Sequence, residues 1–177
     1  MRLALLERML RRFKRSKDGS TAIEFGLVAL PFFMLTFGVA EVAMLGLAQT
    51  SLDFAVSNVA RTIRTGEAQT AGATGVDIQE DICEGFGSLL AVDCVNLFID
   101  VDVYPSFAAV DNPNPIVDDE FQVGNFGYDP SVGSDIVVVR AYYRWQVLTP
   151  LFERIFANVS NGDRILVSTM MFRNEPF

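Results

Sequence analysis

Three residues near the N-terminus, Gly19, Ser20 and Glu24, stand between a stretch rich in basic side chains and a long apolar run. A carboxylate such as that of Glu24 is costly in any segment that enters a membrane. The side chain therefore stays out of lipid, reaches back to the interface beside the basic residues, or has a role within the apolar segment. The position of Glu24 alone leaves these alternatives open.

Enzymatic chemistry has little support in the composition. The chain contains no histidine, which is the most common general base and a very common metal ligand. It also has no G-x-S-x-G motif and no recognisable pairing of a nucleophile with a base. The acidic cluster Asp118, Asp119 and Glu120 lacks the D-x-D-x-D-G spacing of a calcium loop. We therefore expect no enzymatic activity, no catalytic residue, no metal site and no cofactor.

Cys83 and Cys94 are the two cysteines of the chain, and their spacing does not fit a C-x-x-C redox or zinc motif. In an oxidising compartment such a pair is expected to form a disulfide. The bond would tie the end of a short helix to the start of the first strand and stabilise the fold by roughly 3 kcal/mol. Two free buried thiols in a cytoplasmic domain are the alternative.

The charges are distributed very unevenly along the 177 residues. Residues 1–19 hold seven of the 14 basic and two of the 22 acidic side chains, which leaves the rest with a net charge of −13. A basic N-terminus ahead of an apolar segment is typical of an anchor whose start stays in the cytoplasm, and the acidic body then reads as an exported domain. This explanation accounts for the basic stretch without nucleic acid, and we predict no nucleic-acid partner.

The apolar run predicts a membrane segment. The 16 charge-free residues from Phe25 to Ala40 would span about 24 Å as a helix, somewhat less than a hydrocarbon core of about 30 Å. Extending the segment as far as Ala48 supplies the missing length and places Glu41 inside the span. A secretory signal cleaved just before Glu41 is an alternative, because Gly38 and Ala40 are small residues at suitable places.

An apolar stripe continues beyond the membrane segment at helical spacing, which weighs against cleavage there. It consists of Leu45, Leu52, Val56, Val59 and Ile63, with Asp53, Ser57, Arg61 and Arg64 on the opposite face. The pattern predicts one helix from about Ser20 to Thr65, ended by Gly66 and roughly 70 Å long. Pro31 lies inside this helix, so we expect a kink or a locally melted turn there.

The rest of the chain predicts a small α+β domain. A short helix is expected over Val76–Leu90, and the connector 149–162 should hold another one, started by Pro150. Residues 105–134, with four of the seven prolines, read as a long irregular loop. Strands are predicted at Val95–Tyr104, Asp135–Leu148 and Asp163–Asn174. They should form an antiparallel sheet that packs on the outer half of the long helix, with Asp100 and Asp102 on its polar face.

The N-terminal stretch "DGSTAIEFGLVALPFFMLTFGVAEVA" resembles the TadE-like pseudopilins of the Tad (tight adherence) system, which carry a type IV prepilin class of signal. Their helix commonly reads G-x-x-A-[IV]-E-F-[AG]-L-[VI]-x-P. Related TadF- and TadG-like proteins share this motif. The segment "YYRWQVLTPLF" and the ending "RNEPF" resemble the TadE-like C-terminus and narrow the choice. The resemblance covers both ends of the chain, whereas residues 105–134 are not recognisable.

The resemblance implies a pilin-like organisation. Residues 1–19 would be a cytoplasmic leader that a prepilin peptidase removes by cutting between Gly19 and Ser20. Residues 20–66 would be a long helix with its inner half in the bacterial inner membrane, and residues 67–177 a periplasmic α+β domain. In an assembling fibre, Glu24 of one subunit would neutralise the new amine of Ser20 on its neighbour.

The function that follows is that of a minor pilin or pseudopilin that takes part in assembly of a Tad adhesion pilus. Its partners would be the prepilin peptidase, other pilins or pseudopilins, and the Tad assembly machinery. An uncleaved, membrane-anchored periplasmic scaffold is the alternative, and an anchored hydrolase is a third and weaker hypothesis.

Overall fold

A computed structural model of the chain describes residues 19–88, 90, 92–124 and 126–177. The predicted leader therefore lies outside the described residues, except for Gly19. The chain divides into two compact units, one ending at Ala40 and the other comprising Glu41–Phe177. We describe each unit by itself.

The first unit contains the beginning of helix α1, which extends from Ser20 to Arg64. The large apolar side chains on this part of α1 are exposed on every face, as Phe25 (71%) and Leu35 (68%) illustrate. Within the described part of the chain, α1 is the one helix long and apolar enough to cross a membrane. The helix continues through Pro31, so no turn is melted there, and the kink at Pro31 stays a prediction.

The second unit begins with the remainder of α1, whose predicted stripe is buried. Leu52, Val56 and Ile63 are at most 1% exposed, whereas Arg61 and Arg64 on the opposite face are exposed. The predicted packing of the outer half of the helix against the domain is therefore confirmed. The helix ends one residue before the predicted boundary, and Gly66 follows with a positive φ of 81°.

The expected extension of the membrane segment to Ala48 needs correction. Glu41 is 3% exposed, and Leu45 and Ala48 belong to the core of the second unit, so this face of α1 contacts protein. The physical reason is that lipid-facing and core-facing helix surfaces are both apolar, and composition does not separate them. The opposite face remains open, since Val42 and Leu47 are 54% and 44% exposed.

The sheet of the second unit has three long strands. They are β1 (Leu97–Tyr104), β4 (Ile136–Gln146) and β5 (Asp163–Arg173), and their spatial order is β1-β4-β5 with both pairings antiparallel. The predicted strands and the antiparallel sheet are thus confirmed. One face of the sheet packs on α1, because apolar and aromatic side chains that alternate along β1 and β4 share a core with the stripe.

Two further helices precede the sheet, α2 (Glu67–Ala71) and α3 (Gly75–Gly87). A capping box starts α3, in which the Thr74 and Asp77 side chains each accept from the other residue's backbone N–H. A Cβ at Gly85 would lie only 3.1 Å from the Cβ of Ala55, so the glycine permits close contact between α3 and α1. The predicted helix is therefore present, although it ends at Gly87 and not at Leu90.

Cys83 and Cys94 form a disulfide with 5.7 Å between their Cα atoms. Cys83 lies near the end of α3, and Cys94 begins a 3₁₀ turn that leads directly into β1. The bond thus connects the two elements that the sequence predicted.

The second face of the sheet is covered by protein, which the sequence analysis did not anticipate. Within 105–134 there is a small hairpin of β2 (Ile116–Val117) and β3 (Glu120–Phe121). Its Phe121 ring lies 5.5 Å from Phe98 and 5.9 Å from Tyr142, measured between centroids. The interpretation of 105–134 as an irregular loop is correct for most of its length, but it missed this hairpin.

The acidic cluster in this segment forms the turn of the hairpin. Asp118 and Asp119 have φ values of 52° and 60°, and they are the two residues between β2 and β3. Positive φ at both central residues fits a type I′ turn, in which aspartate is favoured. A turn explains these acids without a bound ion.

Burial of the second face also changes the surroundings of the strand acids. Asp100 is 5% exposed and forms an ion pair with Arg140, whose side chain is 1% exposed. Arg140 also contacts the carboxylate of Asp102 and the backbone oxygen of Asp111. Burial raises the pKa of the Asp100 carboxyl, against a hydrogen bond from the Gly127 N–H. The expectation of a solvated polar face is therefore wrong for Asp100.

Candidate processing and assembly site

Gly19 and Ser20 lie at the very start of α1. The Gly19 carbonyl accepts a hydrogen bond from the Ile23 N–H at 3.1 Å, and Ser20 is the first residue of the helix. Both residues are exposed. A Cβ at Gly19 would meet no atom within 4 Å, so the described structure gives no packing reason for glycine at this position.

Glu24 lies one helical turn after Ser20, and its side chain is exposed. The Ser20 hydroxyl donates a hydrogen bond to the Glu24 carboxylate, with 2.9 Å between Oγ and Oε1. Cleavage before Ser20 would place a positively charged amine on the residue that already contacts this carboxylate. An acid near the N-terminal end of a helix is also favoured by the helix dipole. The structure thus brings Ser20 and Glu24 together, while Pro31 lies two turns further along the same helix.

The second acid of the apolar region, Glu41, has an entirely different environment. Its carboxylate accepts hydrogen bonds from the Leu148 N–H at 3.0 Å and from the Thr149 hydroxyl at 3.1 Å. Glu41 is therefore part of the folded second unit. Sequence reasoning missed this contact, because no local pattern connects residues 107 positions apart.

The closing residues of the chain bind the C-terminal end of α1. The Glu175 N–H donates to the Arg64 carbonyl at 2.9 Å, which satisfies one of the free carbonyls that every helix end presents. Asn174 is 3% exposed, and its side-chain amide donates to the Ser131 hydroxyl and to the Val132 carbonyl. The ending "RNEPF", which the sequence identified only through its family resemblance, therefore also has a structural role.

Gly66 belongs to the same arrangement. Its φ of +81° is unfavourable for residues with a side chain, and a Cβ there would lie 2.5 Å from the ring of Phe177. The last residue of the chain thus packs on the turn that follows α1. We call the residues of this contact, Gly66 and 174–177, the C-terminal latch.

In the described part of the chain, no group of three or more Cys, Asp, Glu or His side chains is arranged to hold a metal ion. The arrangement as a whole is that of an apolar helix that leads directly into a small α+β unit. The helix carries an exposed carboxylate, that of Glu24, near its start and exposed apolar side chains along its first unit.

Comparison with known proteins finds a family model that matches the N-terminal part of α1 and most of its remainder. A family model described as "TadE-like protein" matches residues 19–61. The predicted resemblance to the TadE-like family is confirmed over this stretch, which begins at Gly19 and includes both Ser20 and Glu24. The match suggests a protein associated with the Tad pilus. No curated protein and no solved structure matches the chain.

Proposed function

We propose that this protein is a minor pilin or pseudopilin that takes part in assembly of a Tad (Flp-type) adhesion pilus after prepilin peptidase cleavage between Gly19 and Ser20. The observation that carries the proposal is the family match, which starts at Gly19 and covers the helix that would assemble. The exposed Ser20–Glu24 pair at the start of that helix supports it.

The proposed mechanism of assembly is electrostatic recognition between apolar helices. The apolar side chains of the first unit are exposed all around α1, and such surfaces pack against one another without preferring one register. The new amine of Ser20 and the carboxylate of Glu24 would each be costly alone in lipid. When Glu24 of one subunit meets the amine of the next, both charges are neutralised, and a single register is favoured.

The proposed topology places the N-terminus in the cytoplasm, α1 across the bacterial inner membrane, and the second unit in the periplasm. Seven basic residues before Gly19 support the orientation. The Cys83–Cys94 disulfide supports an oxidising compartment for the second unit. Partners in this topology are the inner membrane, the prepilin peptidase, other pilins or pseudopilins, and the Tad assembly machinery.

We further propose a structural and not an enzymatic role. The whole chain lacks histidine, and the acids with special environments have structural explanations. Asp100 pairs with Arg140, Glu41 binds backbone and hydroxyl groups, and Asp118 and Asp119 form a turn. An uncleaved, membrane-anchored scaffold of a pilus or secretion machine is the second candidate, because the anchor and the folded unit would suit it equally.

The substitution Gly19→Leu separates the two candidates. Among the described residues no atom lies within 4 Å of a Cβ at Gly19, so the variant should fold normally, while its larger side chain should block a peptidase that binds extended backbone. Gly26→Leu is the matched control, since a Cβ at Gly26 also meets nothing within 4 Å. We expect uncut precursor and loss of piliation for Gly19→Leu, and normal cleavage for Gly26→Leu. Normal piliation by uncut Gly19→Leu protein would favour the scaffold.

A further inference from the structure

The segment between β4 and β5 exposes three large apolar side chains within eight residues. Leu148, Leu151 and Ile155 are 62%, 58% and 68% exposed. Leu151 lies in a 3₁₀ turn, Pro150–Phe152, and Ile155 lies in the short helix α4, Glu153–Phe156. Leu148 lies just before the turn. A cluster of this kind is unfavourable in water and marks a surface that contacts something else.

Contacts inside the second unit fix the position of this segment along α1. Glu41, which accepts from the Leu148 N–H and the Thr149 hydroxyl, is 3% exposed. Glu41 directly follows Ala40, the last residue of the charge-free run. The segment is thus held beside the residue at which the apolar run ends. Because this follows from chain continuity, it holds for any orientation of the first unit.

The length of the apolar run indicates what covers the segment. Sixteen residues span about 24 Å, which is shorter than a hydrocarbon core of about 30 Å. Beyond Ala40, one face of α1 contacts protein, and Val42 and Leu47 on the open face are still apolar. The exposed apolar side chains of the segment and those on the open face of α1 beyond Ala40 could together supply the apolar length that the charge-free run lacks.

We propose that Leu148, Leu151 and Ile155 insert into the outer surface of the bilayer that α1 crosses, so that the second unit rests on the membrane. The inference rests on the proposed membrane anchorage and adds a second, monotopic contact with lipid. The short helix α4 exposes both Arg154 and Glu153 beside these apolar side chains, so the segment has an apolar side and a polar side, as interfacial segments do. Glu41 acts as the tether, since its buried carboxylate holds the start of the segment.

The opposite end of the second unit provides a built-in control. Val132 is 65% exposed, and its carbonyl accepts from Asn174, which follows the end of β5. Because β4 runs from Ile136 to Gln146, Val132 precedes the strand and Leu148 follows it. At about 3.3 Å per residue the two ends of β4 lie about 33 Å apart. Val132 is therefore an equally exposed apolar residue that should remain in water.

The test uses the full chain reconstituted in vesicles of phosphatidylethanolamine and phosphatidylglycerol, with a nitroxide label on one added cysteine. The variants are Leu151→Cys, the control Val132→Cys, and Leu35→Cys in the apolar run. For each label, the rate of collision with oxygen, which concentrates in lipid, is compared with the rate of collision with a water-soluble nickel chelate. We expect Leu151→Cys to be several-fold more accessible to oxygen than Val132→Cys and to lie at a shallower depth than Leu35→Cys.

Three results would overturn the inference. A Leu151→Cys label that is as open to the nickel chelate as Val132→Cys lies in water. A label shielded from both reagents is covered by protein, which would indicate a second copy of the chain and not lipid. If Leu35→Cys is itself open to the chelate, α1 does not span the bilayer, and the proposed anchorage fails together with this inference. Lipid exposure at Leu35 with water exposure at Leu151 refutes only the inference.

Discussion

At the scale of single residues, the two glutamates of the apolar region have opposite fates. Glu41 is buried and hydrogen-bonded within its own unit, whereas Glu24 is exposed and contacts the Ser20 hydroxyl. By composition alone both are acids beside apolar residues, and only the resemblance to the TadE-like motif distinguished Glu24. Of the two glutamates, Glu24 is therefore the one whose carboxylate is exposed, as the proposed pairing with another subunit requires.

This difference leads to a prediction for Glu24→Gln. The variant keeps an oxygen that can accept from Ser20, but it lacks the charge that would neutralise an incoming amine. We expect cleavage to continue at the wild-type level while piliation falls at least tenfold, as measured by immunoblotting of cells and of sheared fibres. Glu84→Gln, which changes an exposed acid on α3, should leave both unchanged. Normal fibres from Glu24→Gln would remove the assembly role.

At the scale of elements, the C-terminal latch explains how the end of α1 is held. The backbone of Glu175 bonds to Arg64, and the buried Asn174 side chain binds the segment before β4. Gly66 allows both the turn and the contact with Phe177. The latch thus connects the last residues of the chain to the helix that would assemble.

Two glycine substitutions separate backbone strain from contact with Phe177. Gly66 and Gly72 both have positive φ, 81° and 69°, but a Cβ at Gly72 meets no atom within 4 Å. Gly72→Ala should therefore lower the free energy of unfolding by about 1 kcal/mol through strain alone. Gly66→Ala should lower it by at least about 1 kcal/mol more, since the Phe177 ring must move. Equal losses, measured by denaturant unfolding in detergent, would show that Phe177 contributes nothing to the latch.

The elements also show how far the sequence could predict this fold. The C-terminal end of α1 was predictable because Gly66 is a strong stop signal, and β1 was predictable because its apolar residues alternate. The Glu41–Leu148 contact was not predictable, since no sequence motif marks either residue and the two come together only when the chain folds. The cover over Asp100 was missed for a similar reason, because prolines in 105–134 suggested a loop and concealed the hairpin. For the candidate site, Gly19 and Ser20 came from the resemblance to the prepilin signal, whereas Glu24 was conspicuous as an acid at the start of the apolar run. The structure places all three at the beginning of α1, and their roles stay predictions.

At the scale of the whole molecule, the basic N-terminus, the apolar run and the disulfide support one topology. A thiol titration under denaturing, non-reducing conditions tests the exported location of the second unit. Because Cys83 and Cys94 are bonded, we expect no free thiol in protein isolated from cells under alkylating conditions. Two reactive thiols per chain would instead indicate a reducing compartment and contradict the proposed periplasmic location.

We propose that the chain is processed as a prepilin and retains its long helix. The most direct test is the intact mass and N-terminal sequence of the protein purified from its native membrane. We predict that the mature chain begins at Ser20 and contains all of α1, with or without a methyl group on the new amine. A chain that still begins at Met1, or one that begins at Glu41 after ordinary signal cleavage, would contradict this account.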